Sequence, residues 1–280
     1  MTALSHELLA KREHLLEILR GMKRVAVALS GGVDSTVLAK AATEALDGNA
    51  IAITADSPSV ARRELADAKR IAEQIGIEHR IIETQEFESP DYIRNDGSRC
   101  FFCKDELYGR IVALTDYQVV SGANVDDAGD YRPGLKAAAE HGVRHPLQEA
   151  GLSKAEVREL ARDWNLDVWD KPASPCLSSR IAPGVEATAE RTARIEAAEL
   201  LLHQMGLREC RVRLHEGELA RIEVHPNDIP ALADSSDLLN HKLRDLGFRY
   251  VTLDLGGFRS GSLNELVTLE TRRKFTKETT

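Results

Sequence analysis

Residues 24–46 run from a short β-branched stretch, RVAVALS, across Gly31 and Gly32 into VDSTVLAKAATEAL, whose apolar residues recur at helical spacing. A strand that turns into a helix over a glycine pair is the first half of a βαβ unit. The pattern recurs: residues 50–56 read as a second strand, PSVARRELADAKRIAEQIG as a helix closed at Gly76, and residues 79–84 as a third strand. A fourth strand fits residues 117–123, with a helix over about residues 100–114 as its crossover. Strands alternating with amphipathic helices predict an α/β fold, a parallel sheet with helices on both faces and right-handed crossovers.

Downstream the texture changes. Residues 126–146 are rich in Asp, Gly and Pro and predict a surface loop, and residues 153–166 predict a helix opened by a capping box of Ser153 and Glu156. Residues 170–184, dense in Pro and Ser, predict a hinge. A helix over about residues 187–205, two strands in RVRLHEGELARIEV, a helix over residues 232–246 and a strand in FRYVTLDL then make a small α+β domain. The expected division is residues 1–186 and 187–280, with a polar tail after Thr271 that frays.

At 280 residues the chain is long enough for about two domains. Its 42% hydrophobic and 29% charged residues, with a mean hydropathy of −0.30, are those of a soluble globular protein. The N-terminal segment carries charges through its apolar positions, so it predicts an amphipathic helix rather than a leader, and no stretch is apolar enough to cross a bilayer. The expected location is the cytoplasm. A formal net charge of −8 is the wrong sign for gripping a long polyanion, so extensive nucleic-acid binding is not expected.

The loop Ser30-Gly31-Gly32-Val33-Asp34-Ser35 carries the strongest chemical signal. Glycines present backbone N–H groups, the following helix adds its positive end, and serine hydroxyls reach phosphate oxygens. The loop lacks the Lys of a Walker A motif and the spacing of the dinucleotide fingerprint. Four cysteines are too few for a disulfide framework. Cys100 and Cys103, three residues apart, with the distant Cys176, offer three thiolates and leave one position open on a metal or cluster. Spacing alone leaves a [4Fe–4S] cluster, a zinc site, a Cys100–Cys103 disulfide and unrelated buried thiols all open. Cys210 reads as a small buried hydrophobe. Arg211 and Arg213 alternate on a predicted strand and so share a face, where two guanidiniums suit a phosphate monoester or a solvated surface with ion pairs. Asp126, Asp127 and Asp130, before Arg132-Pro133-Gly134, suit either Mg²⁺ or a solvated loop, and Lys104 either faces phosphates or lies on the surface.

SGGVDS after a first strand resembles the PP-loop of the N-type ATP pyrophosphatases, which implies adenylation: ATP is split between its α and β phosphates, the loop (Ser30, Gly31, Gly32, Val33, Asp34, Ser35) holds the pyrophosphate, and Asp34 helps hold Mg²⁺. SGANVDDAGDYRPGLKA, DKPASPCLSSR, RVRLHEGELARIEV and YVTLDLGGFRSGSLNE extend the resemblance, nearly end to end, to the LarE family of ATP-dependent sulfur transferases. The resemblance implies a small anionic substrate, pyridinium-3,5-biscarboxylic acid mononucleotide, whose carboxylates become thiocarboxylates on the way to a nickel-pincer nucleotide. It assigns Arg211 and Arg213 to the substrate phosphate, Glu199 and Glu223 to the same site, and Ser179, Arg180 and Cys176 to catalysis. It also implies a homo-oligomer and an external sulfide source. Some members spend a single loop cysteine as sulfur donor. Here Pro175 stands where that residue falls, and Cys100 and Cys103 are present, which matches the branch in which Cys100, Cys103 and Cys176 hold a [4Fe–4S] cluster.

Four other functions compete: a cluster-dependent tRNA thiolase on the same scaffold, the same cofactor reaction with Cys176 as sacrificial donor, an amide-forming ligase such as an NAD synthetase, and a non-enzymatic nucleotide-binding regulator.

Overall fold

The computed structural model describes residues 4–127, 133–259, 261–268 and 271. In chain order the elements are α1 (His6–Met22), β1 (Val25–Ala28), α2 (Val33–Leu46), β2 (Ala50–Asp56), α3 (Arg62–Ile75), β3 (Glu78–Glu83), α4 (Pro90–Arg94), α5 (Arg99–Leu114), β4 (Gln118–Val120), α6 (Pro133–Glu140), α7 (Pro146–Glu149), α8 (Lys154–Asp163), α9 (Ala189–Gln204), β5 (Cys210–His215), β6 (Leu219–Val224), α10 (Ile229–Asp234), α11 (Ser236–Asp245) and β7 (Tyr250–Leu253).

The chain packs as two compact units, one made chiefly of Met1–Glu86 and Cys100–Ser174, the other of Phe87–Arg99 and Pro175–Lys274. The sequence placed a single boundary at 186/187. The structure divides the chain at 174/175 and assigns the short 87–99 segment to the second unit. Hydrogen bonds explain both differences. Asn95 Nδ2 donates to the carbonyls of Ala182 (2.9 Å) and Val185 (2.8 Å), Ala187 N donates to Ile93 O, and Arg99 reaches the carbonyl of Ser178 at 2.6 Å. Ile181 also bridges to Leu214 of β5. Residues 175–186 are thereby stitched to the second unit.

In the first unit four parallel strands lie in the order β3-β2-β1-β4. Side chains alternate across this sheet. Val25, Val27, Ala50 and Ala52 face one core with α1, α2, α3 and α8, while Ala26, Ile51, Ile53 and Val119 face another with Leu107, Tyr108 and Ile111 of α5 and Ala138 of α6. Apolar residues on both faces are why these strands read as continuous apolar runs. β3, at the edge, exposes Glu78, Arg80 and Glu83 beside Ile81, charges that blunt an edge strand. Strands β2 and β3 progress away from β1 on one side and β4 lies on the other, so the order reverses between β1 and β4, where open α/β sheets bind their ligands.

In the second unit β5 and β6 form an antiparallel hairpin, and β7 joins β6 in parallel after α10 and α11. Cys210, Val212 and Leu214 pair with Val224, Ile222 and Ala220 and are all buried, so one face of this sheet is apolar. Arg211, Arg213, Arg221 and Glu223 hold the opposite face.

Two secondary-structure expectations need correction. The 126–146 region contains α6 rather than loop throughout and ends where α7 begins. The helix expected over 232–246 is two helices: Pro230 sits in the first turn of α10, and Ser235 ends that helix and precedes α11. The tail after Thr271 lies outside the described residues.

Candidate functional site

The 30–35 loop leaves β1 and turns through Gly31 at φ +73°, a conformation glycine adopts without strain. A Cβ on Gly31 would also stand 3.3 Å from Ala68 N and 3.4 Å from Glu64 O of α3. Gly32 is the N-cap of α2, and the loop is held by its two serines. Ser35 Oγ donates to Gly32 O at 3.1 Å, accepts from Ser30 N at 3.2 Å and lies 3.1 Å from Ser30 Oγ. Opposite stands the end of β4. A Cβ on Gly122 would lie 2.7 Å from Ser35 N and 2.9 Å from the carbonyl carbon of Asp34, so only glycine lets the two segments come this close. The result is a helix N-terminus with its loop at the strand-order reversal, an arrangement that accepts anionic oxygen.

Asp34, in the first turn of α2, meets groups from both neighbouring segments. Lys154 Nζ lies 2.5 Å from Oδ2, and Asn124 Nδ2 donates to Oδ1 at 3.1 Å. Asp126 Oδ2 accepts from Lys154 N, and Asp127 Oδ2 from Asn124 N, so these two aspartates fix the segments that bring the amide and the ammonium to Asp34. Asp130 and Arg132 lie outside the described residues. Lys171 Nζ donates to Gly31 O at 3.2 Å and pairs with Glu64 and Asp67, each at 2.7 Å. Burial would raise the Asp67 carboxyl, but the bond to Lys171 and the charge of Arg70 outweigh it and hold the group below its ordinary range. A hard carboxylate beside a phosphate cradle fits Mg²⁺, which takes one or two protein oxygens and completes its shell with phosphate and water.

In the second unit Cys176 precedes a 3₁₀ turn, Leu177–Arg180, and its carbonyl accepts from Ser179 N (2.9 Å) and Arg180 Nη1 (3.0 Å). Arg180 also bonds Pro175 O and Ser179 Oγ and forms a forked pair with Glu199, at 3.0 and 3.2 Å, where both side chains are buried. Glu199 Oε1 accepts from Val212 N of β5 as well. Ser178, fully buried, lies 2.7 Å from the Tyr92 hydroxyl. The loop around Cys176 is therefore fixed by Arg180 from within and by Tyr92 and Arg99 from the 87–99 segment.

On the polar face of the second sheet Arg213 pairs with Glu223 at 2.8 Å, and Arg221 bridges Glu223 and Asp254. Glu223, with no exposed surface, accepts from Ser262 too. Arg211 stacks over Phe258, 5.2 Å from the ring centroid, and donates to Cys210 O. Burial, then the charge of Arg180, weaken its hold on the proton, with Glu199 opposing and Arg213 acting in the same sense. Arg180, Arg211 and Arg213 lie close enough for their charges to act on one another, with Glu199 paired to Arg180 and Glu223 to Arg213.

The four cysteines are all thiols, with no disulfide. Cys100 is exposed and Cys103 half-buried one turn on along α5, in the first unit, while Cys176 is half-buried in the second. Three thiols are the right donor chemistry for an iron–sulfur cluster. Among the described residues, no group of three or more His, Cys, Asp or Glu side chains is gathered in a metal-binding arrangement. Cys210 is buried, as expected of a core thiol. Lys104 lies over the Tyr108 ring at 5.6 Å.

Sequence reasoning missed Asn124, Lys154, Lys171, Tyr92, Asn95 and Arg99. Lys154 follows the capping-box serine, and the sequence revealed that helix start without revealing which loop its ammonium meets. No helix among the described residues is long and apolar enough to cross a membrane.

Residues 15–95 match the asparagine synthase family model. The chain is 45% identical to an uncharacterised protein of Synechocystis, over 92% of this chain and 98% of the relative. It is 39% identical to the pyridinium-3,5-bisthiocarboxylic acid mononucleotide synthase of Lactiplantibacillus plantarum, over 93% and 96%. Similarity to the tRNA-specific 2-thiouridylase MnmA of Rickettsia rickettsii is 26% identity, over 54% and 52%.

Proposed function

The chain belongs to the LarE family, that of the pyridinium-3,5-bisthiocarboxylic acid mononucleotide synthase, and from this premise we propose that it is an ATP-dependent sulfur transferase acting on pyridinium-3,5-biscarboxylic acid mononucleotide. A substrate carboxylate oxygen attacks the α-phosphorus of ATP, the bond to the β-phosphate breaks and pyrophosphate leaves. Sulfur then attacks the acyl carbon, the bond to AMP breaks and a thiocarboxylate remains. The observation that carries the substrate side is the pair Arg211 and Arg213, both buried and alternating on one face of β5. A mononucleotide bearing a phosphate offers these two guanidiniums a forked partner.

In this reading the 30–35 loop cradles the pyrophosphate, and its N–H groups and the α2 terminus stabilise the charge that grows on the leaving group. Asp34 holds Mg²⁺, which when bound draws charge from the phosphates. Arg211 and Arg213 bind the substrate phosphate. Glu199 and Glu223, with both carboxylates engaged by arginines, keep those arginines aimed. Arg180 and Ser179 hold the Cys176 backbone. Cys100, Cys103 and Cys176 are the ligands for a [4Fe–4S] cluster, which when bound supplies a site for the sulfide to be delivered. The protein works in the cytoplasm as a homo-oligomer.

A second reading has Cys176 itself give up its sulfur. The observation that favours it is the Cys176 backbone, whose carbonyl is already clamped by Ser179 N and Arg180.

Two measurements test these readings. Release of AMP and pyrophosphate that depends on the biscarboxylate mononucleotide is the expected outcome, and release with tRNA but not with the mononucleotide would overturn the substrate. After anaerobic reconstitution, about four irons per chain, lost in Cys100→Ala, Cys103→Ala and Cys176→Ala, support the cluster. An iron-free active protein whose Cys176 is recovered as dehydroalanine supports the second reading instead.

A further inference from the structure

The carboxylate that the nucleotide loop contributes is already occupied. Asp34 Oδ2 holds the Lys154 ammonium and Oδ1 the Asn124 amide, so a metal ion arriving with ATP finds neither oxygen bare. The loop contains no cation of its own, and two lysines reach it from far along the chain. Lys171 is committed, with Glu64 and Asp67 both paired to it. Lys154 differs: Asp34 is the one carboxylate it pairs with among the described residues, and that pair is open to solvent, with side chains 37% and 23% exposed.

Its backbone, by contrast, is fixed. Lys154 N donates to Asp126, and the preceding Ser153 makes a complete capping box with Glu156. A fixed Cα with an exposed four-carbon stem lets the ammonium move by several ångströms while the helix stays in place.

We propose that Lys154 is a phosphate-binding residue of the nucleotide site, held by Asp34 while the site lacks nucleotide and released to a phosphate oxygen when Mg²⁺–ATP enters. The proposal rests on the ATP reading of the 30–35 loop. In the exchange Mg²⁺ takes the place of the ammonium on Asp34 Oδ2, and the ammonium takes a phosphate oxygen. Every charge has a partner before and after, so neither state leaves a bare carboxylate or ammonium. Lys154 would thus serve as the loop's missing lysine, delivered from the start of α8.

The exchange predicts two opposite effects from one substitution. Without the ammonium, Lys154→Gln should bind Mg²⁺–ATP about tenfold to a hundredfold more weakly, the range of one lost charge-assisted hydrogen bond. Lys154→Arg should recover most of that loss. In the absence of nucleotide, Lys154→Gln should bind Mn²⁺ more tightly than wild type, because Asp34 no longer has a resident cation, and adding Asp34→Asn should abolish the gain.

Calorimetry with ATP, with and without Mg²⁺, and electron paramagnetic resonance of free Mn²⁺ read these effects directly, with thermal melts confirming that each variant is folded. Wild-type affinity for Mg²⁺–ATP in folded Lys154→Gln would overturn the proposal and leave the ATP reading standing. Weaker ATP binding without any gain in Mn²⁺ affinity would overturn it too, making Lys154 a support for the loop. A wild-type protein that binds no ATP would bring down the ATP reading and this proposal together.

Discussion

Arg211 is the residue on which substrate affinity should turn. It lies buried on the face of β5 that it shares with Arg213, stacked on Phe258 and bonded to the Cys210 carbonyl. Arg211→Ala should raise the KM for the mononucleotide by about tenfold or more and leave the KM for ATP nearly unchanged. Equal rises in steady-state assays would make the residue structural. His215, at the end of the same strand, gives a pH signature. Burial, and then the charge of Arg221, lower its pKa below 6.5, with Arg213 acting in the same sense and Glu223 opposing. The unfolded chain therefore takes up a proton before the folded one. The stability contribution of neutral His215 is complete above about pH 6.5 and is lost as pH falls from there toward the depressed folded value. Urea titrations between pH 7.5 and 5 should show this decline, and His215→Asn should flatten part of it. At this scale the sequence was legible where a motif had fixed spacing, as in the 30–35 loop. It was silent on Asn124 and Lys154, because which side chain meets Asp34 depends on how strand ends line up across a sheet.

At the scale of elements, the approach of β4 to α2 decides whether the nucleotide loop exists. Gly122→Ala would press a methyl group to within 2.7 Å of Ser35 N, backbone that cannot step aside. The two segments must separate, at a cost of about 1–3 kcal/mol, and Asn124 moves off Asp34 with them. ATP affinity measured by calorimetry should fall further than the melting temperature alone would suggest, and unchanged ATP binding would show that the loop does not depend on this contact. The elements themselves were readable from periodicity. α2 and β2 have the bounds the sequence predicted, and Ser153 and Glu156 make the expected capping box. The misreadings came where local signals competed. α10 begins at Ile229, with Pro230 in its first turn, where apolar spacing alone started the helix at Leu232, and the composition of residues 126–146 concealed α6.

At the scale of the whole molecule, the second unit depends on a segment taken from the middle of the first. Asn95 satisfies carbonyls of Ala182 and Val185, Arg99 that of Ser178, and Tyr92 meets the Ser178 hydroxyl. A fragment of residues 175–274 lacks all of them. It should lose the sharp near-ultraviolet circular dichroism of a packed core, which the full chain keeps, and a rigid fragment would show that these bonds are dispensable. Composition could not reveal this arrangement, because a thirteen-residue excursion leaves no shift in texture. Its consequence is hereditary. A gene whose second half needs a phrase from its first cannot be cut once and recombined as cassettes, so the part that handles ATP and the part that carries Cys176 must be inherited, lost or altered as one piece.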